Sequence, residues 1–565
     1  MSLLSAIRLA SNTLRADQVA LQVVGQNLAN ANTPGYIREE TILSPAPTQR
    51  LGNLLLGMGV QVDAVVQKVD RFLENRLRGA VSDQASAEAK ESTYQQLEQL
   101  VGGLSDNNIS TAMTTFFNSI SEVLNQPEDI SVRNLAVLNA NTLTQQIGGL
   151  ATRVRQVRAD VNSRVATIAD EINQLTEQIR GLNVRIAETE GGSTSKSDAV
   201  GLRDQRQQAL ENLANLVNIQ VKEDESGSDT VYVGGDYLIA GGVARRVEVT
   251  LSSDRGLSLA TVQLQETGAP LQASGGELQG LVEARDQVLG GFLDNLDDFA
   301  GTLSFEFNKV FSSGQGLHGY SSLTSQSYVT ATDRPLDEAG LRFTPVNGTF
   351  QVLVYDTDAK TTQTVNVPVH LLGDESDTTL ESLADRLNQI APLSATATAD
   401  GRLKIASQSA SHEFAFADDT SGVLAALGIN TLFTGSTAMD MGVSQAIVDD
   451  PAKFAASRGG IGVDTANAVQ LAEFAEKPID SQNGASIFTV YDRLVADTTQ
   501  GSTVTHATAE GARAFESTLR GQKLATSGVS IDEETVNMIA IQKSFQASAR
   551  YISVVNDLLE LMVQI

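Results

Sequence analysis

The sequence predicts a mainly α, discontinuous multi-domain protein. Its N- and C-terminal helices pair as a coiled coil, a long-helix bundle carries a small β part, and an α+β domain is inserted. Three observations carry this. In the last 35 residues, Met538, Ile541, Phe545, Ser548, Ile552, Val555, Leu559 and Met562 fall at steps of three and four, one narrow stripe along a helix. At the other end Ile7, Leu14, Leu21 and Leu28 sit seven apart, with Leu4, Ala10 and Val24 beside them. Between the ends the apolar period changes from helical to alternating at Ile219, and again within 341–432.

An ordinary bundle would give the same two end stripes. Against it, neither end helix has a near neighbour in sequence that would cover it. Pairing the two buries too little apolar surface to offset the entropy of ordering some 60 residues. The ends are therefore expected to be mobile in a free monomer and to order on assembly.

In chain order, the first helix runs to about Ala31 and stops at Asn32, Thr33, Pro34, Gly35 and Tyr36. Pro34 pushes Thr33 out of the helical region, and Pro-Gly is the natural centre of a type II turn. Tyr36 to Ser44 is extended, Pro45 and Pro47 turn the chain, and Gly52, Gly57 and Gly59 mark a loop before Val60, Val62, Val65 and Val69. Helical pattern returns from Phe72 through Leu104, then over Thr115–Leu124 until Pro127. A long helix spans Ser131 to Ile186, with a heptad seam through Val154, Val157, Val161, Val165, Ile168, Ile172, Leu175, Ile179, Leu182 and Ile186. Gly191, Gly192, Ser193, Thr194 and Ser195 form a polar loop before a helix over Leu202–Val217.

Short strands come next at about 219–275, around Val231, Tyr237, Val247 and Leu257. One helix is expected from Glu277 to Phe311, then a loop over Gln315–Tyr320. The insert supplies strands at Phe350–Val354, Thr364–Val369, Ser394–Thr398 and Leu403–Ile405, with helices at Leu380–Ile390 and Leu424–Leu427. Beyond it come a helical turn at Pro451–Phe454, a helix at Thr465–Phe474, and a helix from Ile487 to Leu524 broken near Gly501. Ser530 caps the last helix, with Glu533 completing a capping box and Asp532 and Glu534 facing the unpaired amides. The domains expected are 1–35 with 531–565, 36–340 with 433–530, and the insert 341–432.

Composition narrows the function. A chain of 565 residues exceeds a single core. A net charge of −28 argues against nucleic acid. No window of 18 apolar residues offers a membrane span, and Arg8 and Arg15 interrupt any secretory pattern. The absence of Cys rules out disulfides and thiolate metal sites.

The search for chemistry gives no catalytic, cofactor or metal site. His318, His370, His412 and His506 lack ligand spacing, Asp418-Asp419 and Asp449-Asp450 fit solvated turns, and Asp224/Glu225 and Asp297/Asp298 a solvated face. Gly234-Gly235, Gly241-Gly242 and Gly459-Gly460 lack the rest of a phosphate loop. No enzyme is expected; the remote alternative is an extracellular enzyme carried on a helical stalk, with its activity in 341–432.

Asn27-Leu28-Ala29-Asn30-Ala31-Asn32-Thr33-Pro34-Gly35-Tyr36 resembles the signature that closes the first helix of the rod, hook and hook-associated proteins of the bacterial flagellum. Ser527-Gly528-Val529-Ser530-Ile531-Asp532-Glu533-Glu534 and Gln542-Lys543-Ser544-Phe545-Gln546-Ala547-Ser548-Ala549-Arg550 are similar to the matching C-terminal signature. The length and the long helices near 72–217 resemble the members at the hook–filament junction; the alternative is another axial component, hook or distal rod protein. The resemblance implies a structural junction protein, secreted by the flagellar export apparatus, forming a ring of its own copies between hook and filament. It further implies the hook protein, a second hook-associated junction protein and a cytoplasmic export chaperone at the C-terminal region as partners, and no membrane insertion. Its assembly seam would be Ile7, Leu14, Leu21, Leu28, Met538, Phe545, Ile552 and Leu559.

Overall fold

The computed structural model describes residues 3–51, 54–102, 108–191, 196–462 and 464–563. Thirteen helices are described: α1 (Leu3–Ala29), α2 (Arg71–Val101), α3 (Ile109–Asn125), α4 (Ile130–Glu190), α5 (Val200–Leu216), α6 (Gly276–Glu283), α7 (Gly290–Phe311), α8 (Leu380–Asn388), α9 (Val423–Leu427), α10 (Gln445–Val448), α11 (Ala466–Glu473), α12 (Ile487–Ser527) and α13 (Ile531–Val563). The strands are β1 (Glu39–Pro45), β2 (Gln49–Leu51), β3 (Leu54–Leu56), β4 (Val60–Gln67), β5 (Gln220–Glu223), β6 (Asp229–Val233), β7 (Asp236–Ala240), β8 (Val243–Ala244), β9 (Val247–Asp254), β10 (Leu257–Leu264), β11 (Ser322–Thr324), β12 (Gly348–Asp356), β13 (Thr361–Val369), β14 (Leu393–Ala397), β15 (Leu403–Ser407), β16 (His412–Ala417), β17 (Phe433–Thr434) and β18 (Gly442–Val443). The chain divides into two units: Met1–Thr93, Ala159–Arg285 and Thr503–Ile565 form the first, Tyr94–Arg158 and Asp286–Ser502 the second. The fold is mainly α with small sheets, as the helical periods predict.

In the first unit α1 packs against α13 and against the antiparallel pair β1–β4. The sheet β5–β6–β7–β8 and the pair β9–β10 lie along α4. Three asparagines of α4 fasten them. The Asn162 amide donates to Ser258 O (2.9 Å) and accepts from Ala260 N (2.7 Å). Asn173 does the same with both backbone groups of Val247, each at 2.9 Å. Asn183 donates to Asp229 O (2.7 Å) and accepts from Asp229 N (3.1 Å). Each side-chain amide thus satisfies backbone groups of a strand that burial would otherwise leave unpaired: on the open sides of β9 and β10, and at the start of β6.

The second unit has two cores. Phe116, Phe307 and Phe433 meet with ring centroids 5.2–5.5 Å apart and are fully buried. The other core lies between the sheet β13–β12–β16, the sheet β11–β15–β14 and helix α8. It contains Phe350, Val352, Leu383, Leu387, Phe414 and Phe416, and also Tyr320 and Leu323.

Several expectations are corrected. Helix α12 runs unbroken through Gly501, whose missing side chain makes room for the Tyr94 ring; a Cβ there would lie 2.6 Å from it. The helix expected over Glu277–Phe311 is interrupted by a π-helical stretch, Ala284–Leu289. There Arg285 is buried and donates to Asn162 Oδ1 (2.9 Å) and Ala260 O (2.6 Å). Helix α3 begins six residues before Thr115 because Asn108 caps it, accepting from Thr111 N (2.8 Å). Helix α1 ends at Ala29, short of Ala31, and Pro45 closes β1 instead of turning the chain after it. Strand β16 is additional to the strands expected in the insert. Gly52, Leu104 and the loop residues Gly192–Ser195 lie outside the described residues.

Candidate functional site

The last helix carries its stripe as the spacing demands. Along α13 the residues that are not exposed are Glu534, Met538, Ile541, Phe545, Ser548, Ile552, Val555 and Leu559, and all but the first belong to the predicted heptad run. Met562, its last member, is exposed. Val555 and Glu534 are buried, whereas Met538, Phe545, Ile552 and Leu559 are only half-buried.

On α1, Ile7, Leu14, Leu21 and Leu28 are half-buried too. The residues α1 hides best are small or lie off that line: Ala6, Ala10, Ala16, Val23, Val24 and Asn27. Two neighbours cause this. One face of α1 meets α13 and another meets β1 and β4, where Asn12 Nδ2 donates to Met58 O at 3.0 Å. A Cβ on Gly59, whose φ is +83°, would come within 3.0 Å of Leu9 O, so the hairpin approaches the helix closely only through glycine.

The turn after α1 is the predicted type II turn. Tyr36 N donates to Thr33 O (3.2 Å), and Gly35 has φ +80°. Asn32, Thr33, Pro34 and Gly35 are exposed, and Tyr36 is half-buried. The turn brings Tyr36, Arg38 and Glu39 back onto the end of α1. Tyr36 OH donates to Asn27 Oδ1 (2.9 Å), which also accepts from Glu39 N (2.9 Å). Asn27 Nδ2 donates to Glu39 O (3.0 Å) and to Glu534 Oε2 (3.2 Å). The Arg38 guanidinium spans Glu533 (3.0 Å) and Glu534 (2.7 Å), and Arg38 N donates to Ser527 O (2.9 Å). One knot therefore joins the end of α1, the start of β1 and the start of α13.

Ser530 does cap α13, accepting from Glu533 N at 3.4 Å, but the Glu533 carboxylate is spent on Arg38 rather than on a capping box. Burial raises the Tyr36 hydroxyl above its ordinary range, with the Glu39 charge adding to it. Burial likewise lifts the nearby Asp204 carboxyl to about 7, opposed by the Gln67 amide at 2.6 Å. The sequence alone gives Asn27, Arg38 and Glu39 no role of their own, and gives Glu534 only a place in the first turn of α13. The usable signal is an Asn in the last turn of the helix, on an apolar face.

Much of the opposite face of α13 is apolar as well, interrupted by Lys543 and Arg550. Val536, Ile539, Tyr551, Val554, Leu558 and Leu561 are 43–65 % exposed and fall on the side of the helix away from Phe545 and Ile552. A helix apolar on both faces is made to be buried on both faces.

Chemistry is sparse elsewhere. His318 is mostly exposed, 3.9 Å from Asp450; His412 lies 3.6 Å from Asp356; His506 lies 2.5 Å from Glu91. Asp419 accepts from the backbone of Ser421, Gly422 and Leu424, and Asp450 from Ala452, which are turn and cap roles. Among the described residues no group of three or more His, Asp or Glu could hold a metal ion, and no helix is long and apolar enough to cross a membrane.

The family described as flagellar hook-associated protein FlgK helical domain matches residues 94–323. The flagellar basal body rod FlgEFG protein C-terminal family matches 520–565, and the flagella basal body rod protein family matches 7–36. The chain is 24 % identical to flagellar hook-associated protein 1 of Escherichia coli (strain K12), covering 99 % of this chain and all of that one. It is 25 % identical to flagellar hook-associated protein 1 of Salmonella typhimurium, with the same coverage. Against the protein of that name from Bacillus subtilis (strain 168) the identity is 23 %, over 98 % of this chain and 96 % of the other. The flagellar hook junction protein FlgK from Burkholderia pseudomallei shares the fold, with a TM-score of 0.52 at 16 % identity, over 80 % of this chain and all of that structure.

Proposed function

The chain belongs to the family of flagellar hook-associated proteins, and on that premise we propose how it builds the hook–filament junction. It is a structural component of the bacterial flagellum. Copies form a ring on the end of the hook, and each copy leaves its α1–α13 pair half-finished so that neighbours complete it. The observation that carries this is the second apolar face of α13, from Val536 to Leu561, which α1 does not cover. Ile7, Leu14, Leu21 and Leu28 with Met538, Phe545, Ile552 and Leu559 are the inner seam; the outer row meets other copies, the hook protein below and a second junction protein above.

The same surface suits handling before assembly. A chain with an open apolar seam is prone to aggregate, so a cytoplasmic chaperone on the C-terminal region and export through the flagellar apparatus are consistent with it. The domain plan that goes with this reading sets 1–35 with 531–565 innermost, 36–340 with 433–530 outside it, and 341–432 facing outward. The role is non-enzymatic.

Complementation tests this. In a strain lacking its own junction protein, the full chain should restore filaments, and antibody against 341–432 should mark the hook–filament boundary in electron micrographs. A chain shortened by about thirty residues at each end that still docks and carries a filament would overturn the proposal. Label at the rod or along the hook would move the protein to another axial position.

A further inference from the structure

Beyond residue 503, α12 is held to its unit mainly by charge. Within 503–527 only Ala509, Leu519 and Ser527 are buried. Leu519 joins one small core, with Leu73, Leu77, Ala80 and Val81 of α2. Arg76 lies over the Phe515 ring, 5.9 Å from its centre, and polar pairs supply most of the other contacts. His506 Nδ1 is 2.5 Å from Glu91 Oε1. Arg513 Nε is 2.7 Å from Glu88 Oε1, and another of its nitrogens meets Glu91. Arg520 Nη2 is 2.6 Å from Glu211 Oε1 of α5, and Lys523 Nζ is 3.0 Å from Glu74 Oε1.

These four are all the basic residues that 503–527 contains. His506, Arg513 and Arg520 are spaced seven apart, so they stand on one helix face. Glu74, Glu88 and Glu91 form the answering row on α2. The next anchor along the chain, Arg38 on Glu533 and Glu534, is ionic too.

We infer that residues 503–527 form an electrostatically latched strap, whose basic row docks on the carboxylates of α2 and α5 and whose closure is set by ionic strength more than by apolar burial. A single ion pair at the surface contributes little and is weakened by salt. Here one helix carries three, through Arg513, Arg520 and Lys523, with the His506 hydrogen bond beside them, so they let go together. Opening releases residues 503–527 and, through the three-residue link 528–530, the half-buried α13. It also uncovers the row Glu74, Glu88, Glu91 and Glu211, a surface that fits the basic face of an incoming helix. The latch operates in the free chain and needs no flagellar neighbour, so its failure leaves the junction role untouched.

Amide exchange on the full-length monomer tests it. Raising NaCl from about 0.1 M to about 1 M shortens the screening length from about 10 Å to about 3 Å. Exchange over 503–527 and 531–563 should then accelerate at least about tenfold, while amides of 290–311 stay unchanged. R513E should give the same acceleration at low salt, and E91R added to it should restore protection. Salt-independent exchange in 503–527 overturns the latch, and so does R513E that E91R fails to rescue. Should R513E also expose 290–311, the chain has lost its fold, and the salt series on the unmodified protein decides alone.

Discussion

The α1–α13 pair and the phenylalanine cluster of the second unit are both apolar faces on helices, yet only one is finished. Phe116, Phe307 and Phe433 touch one another and are sealed on all sides. In α13 only Val555 of the apolar stripe is buried; Phe545 and Ile552 are half-covered, and a second apolar row faces outward. The contrast separates two uses of one pattern. A periodic stripe says that a face will be covered, but not by which chain. The aromatic cluster is covered within its own unit; the terminal stripe is covered only in part, and on the proposed reading the remainder is a surface for assembly.

The contrast breaks or holds on a pair of truncations. Phe307→Ala should cost about 3–5 kcal/mol in urea unfolding, the range for emptying a sealed aromatic site. Phe545→Ala should cost under about 2 kcal/mol in the monomer, because its site is only partly closed there, and should show its full cost in assembly. Equal losses in the monomer would mean that the terminal pair is as complete as the core. Next in size is Asn27→Ala. It strips the hydrogen bonds to Glu39 N, Glu39 O, Tyr36 and Glu534, and leaving buried groups unpaired should cost about 2–3 kcal/mol. Protection of the first turn of α13 should fall with it, since the knot joins the two ends.

Most helices are legible in the sequence, because burial on one face leaves a period there. The α4 seam shows this: Val154, Val161, Val165, Ile168, Ile172, Ile179, Leu182 and Ile186 are all buried. Glycine misleads at Gly501, because the same residue serves a break or a close approach, and only the Tyr94 ring tells which. The π-helical stretch at Ala284–Leu289 leaves no period of its own; it is set by where the buried Arg285 must reach. On α1 the leucines are the obvious choice, yet alanines are buried deepest, because a helix squeezed between α13 and a hairpin needs small residues there. Least legible are Asn27, Asn162, Asn173 and Asn183. In sequence an asparagine on an apolar face is only a polar interruption, and its meaning lies in a strand up to 98 residues away.

A smaller effect sharpens the contrast through pH. Burial raises the Asp204 carboxyl to about 7, above its value near 3.9 in an unfolded chain. The folded state therefore holds the proton more tightly. Its stabilising contribution is complete below about pH 4 and is lost as pH rises toward 7. Asp204→Asn mimics the protonated form and keeps an oxygen for Gln67 Nε2. It should stabilise the first unit by about 1–2 kcal/mol at pH 8, after allowing for solvent screening of a half-buried group, and by almost nothing at pH 4. Exchange from amides of the second unit, such as those of α7, should be indifferent at either pH.

The smallest expected change in the monomer is the most telling for the assembly surface. Val554 and Leu558 are 55 % and 46 % exposed on the outer row of α13. Replacing both with Ser removes side chains that α1 does not cover, so unfolding should shift by no more than about 0.5 kcal/mol, as for other surface changes. The same double variant deletes two apolar side chains that, on the proposed reading, a neighbouring copy buries at about 1.5–3 kcal/mol each. If the outer row is an assembly face, the variant should fold and leave the cell normally yet fail to appear at the hook tip. A stability loss as large as that of Phe307→Ala would instead place those side chains inside the monomer and close the gap between the two regions. Normal incorporation would leave the second apolar face of α13 without a purpose in the junction.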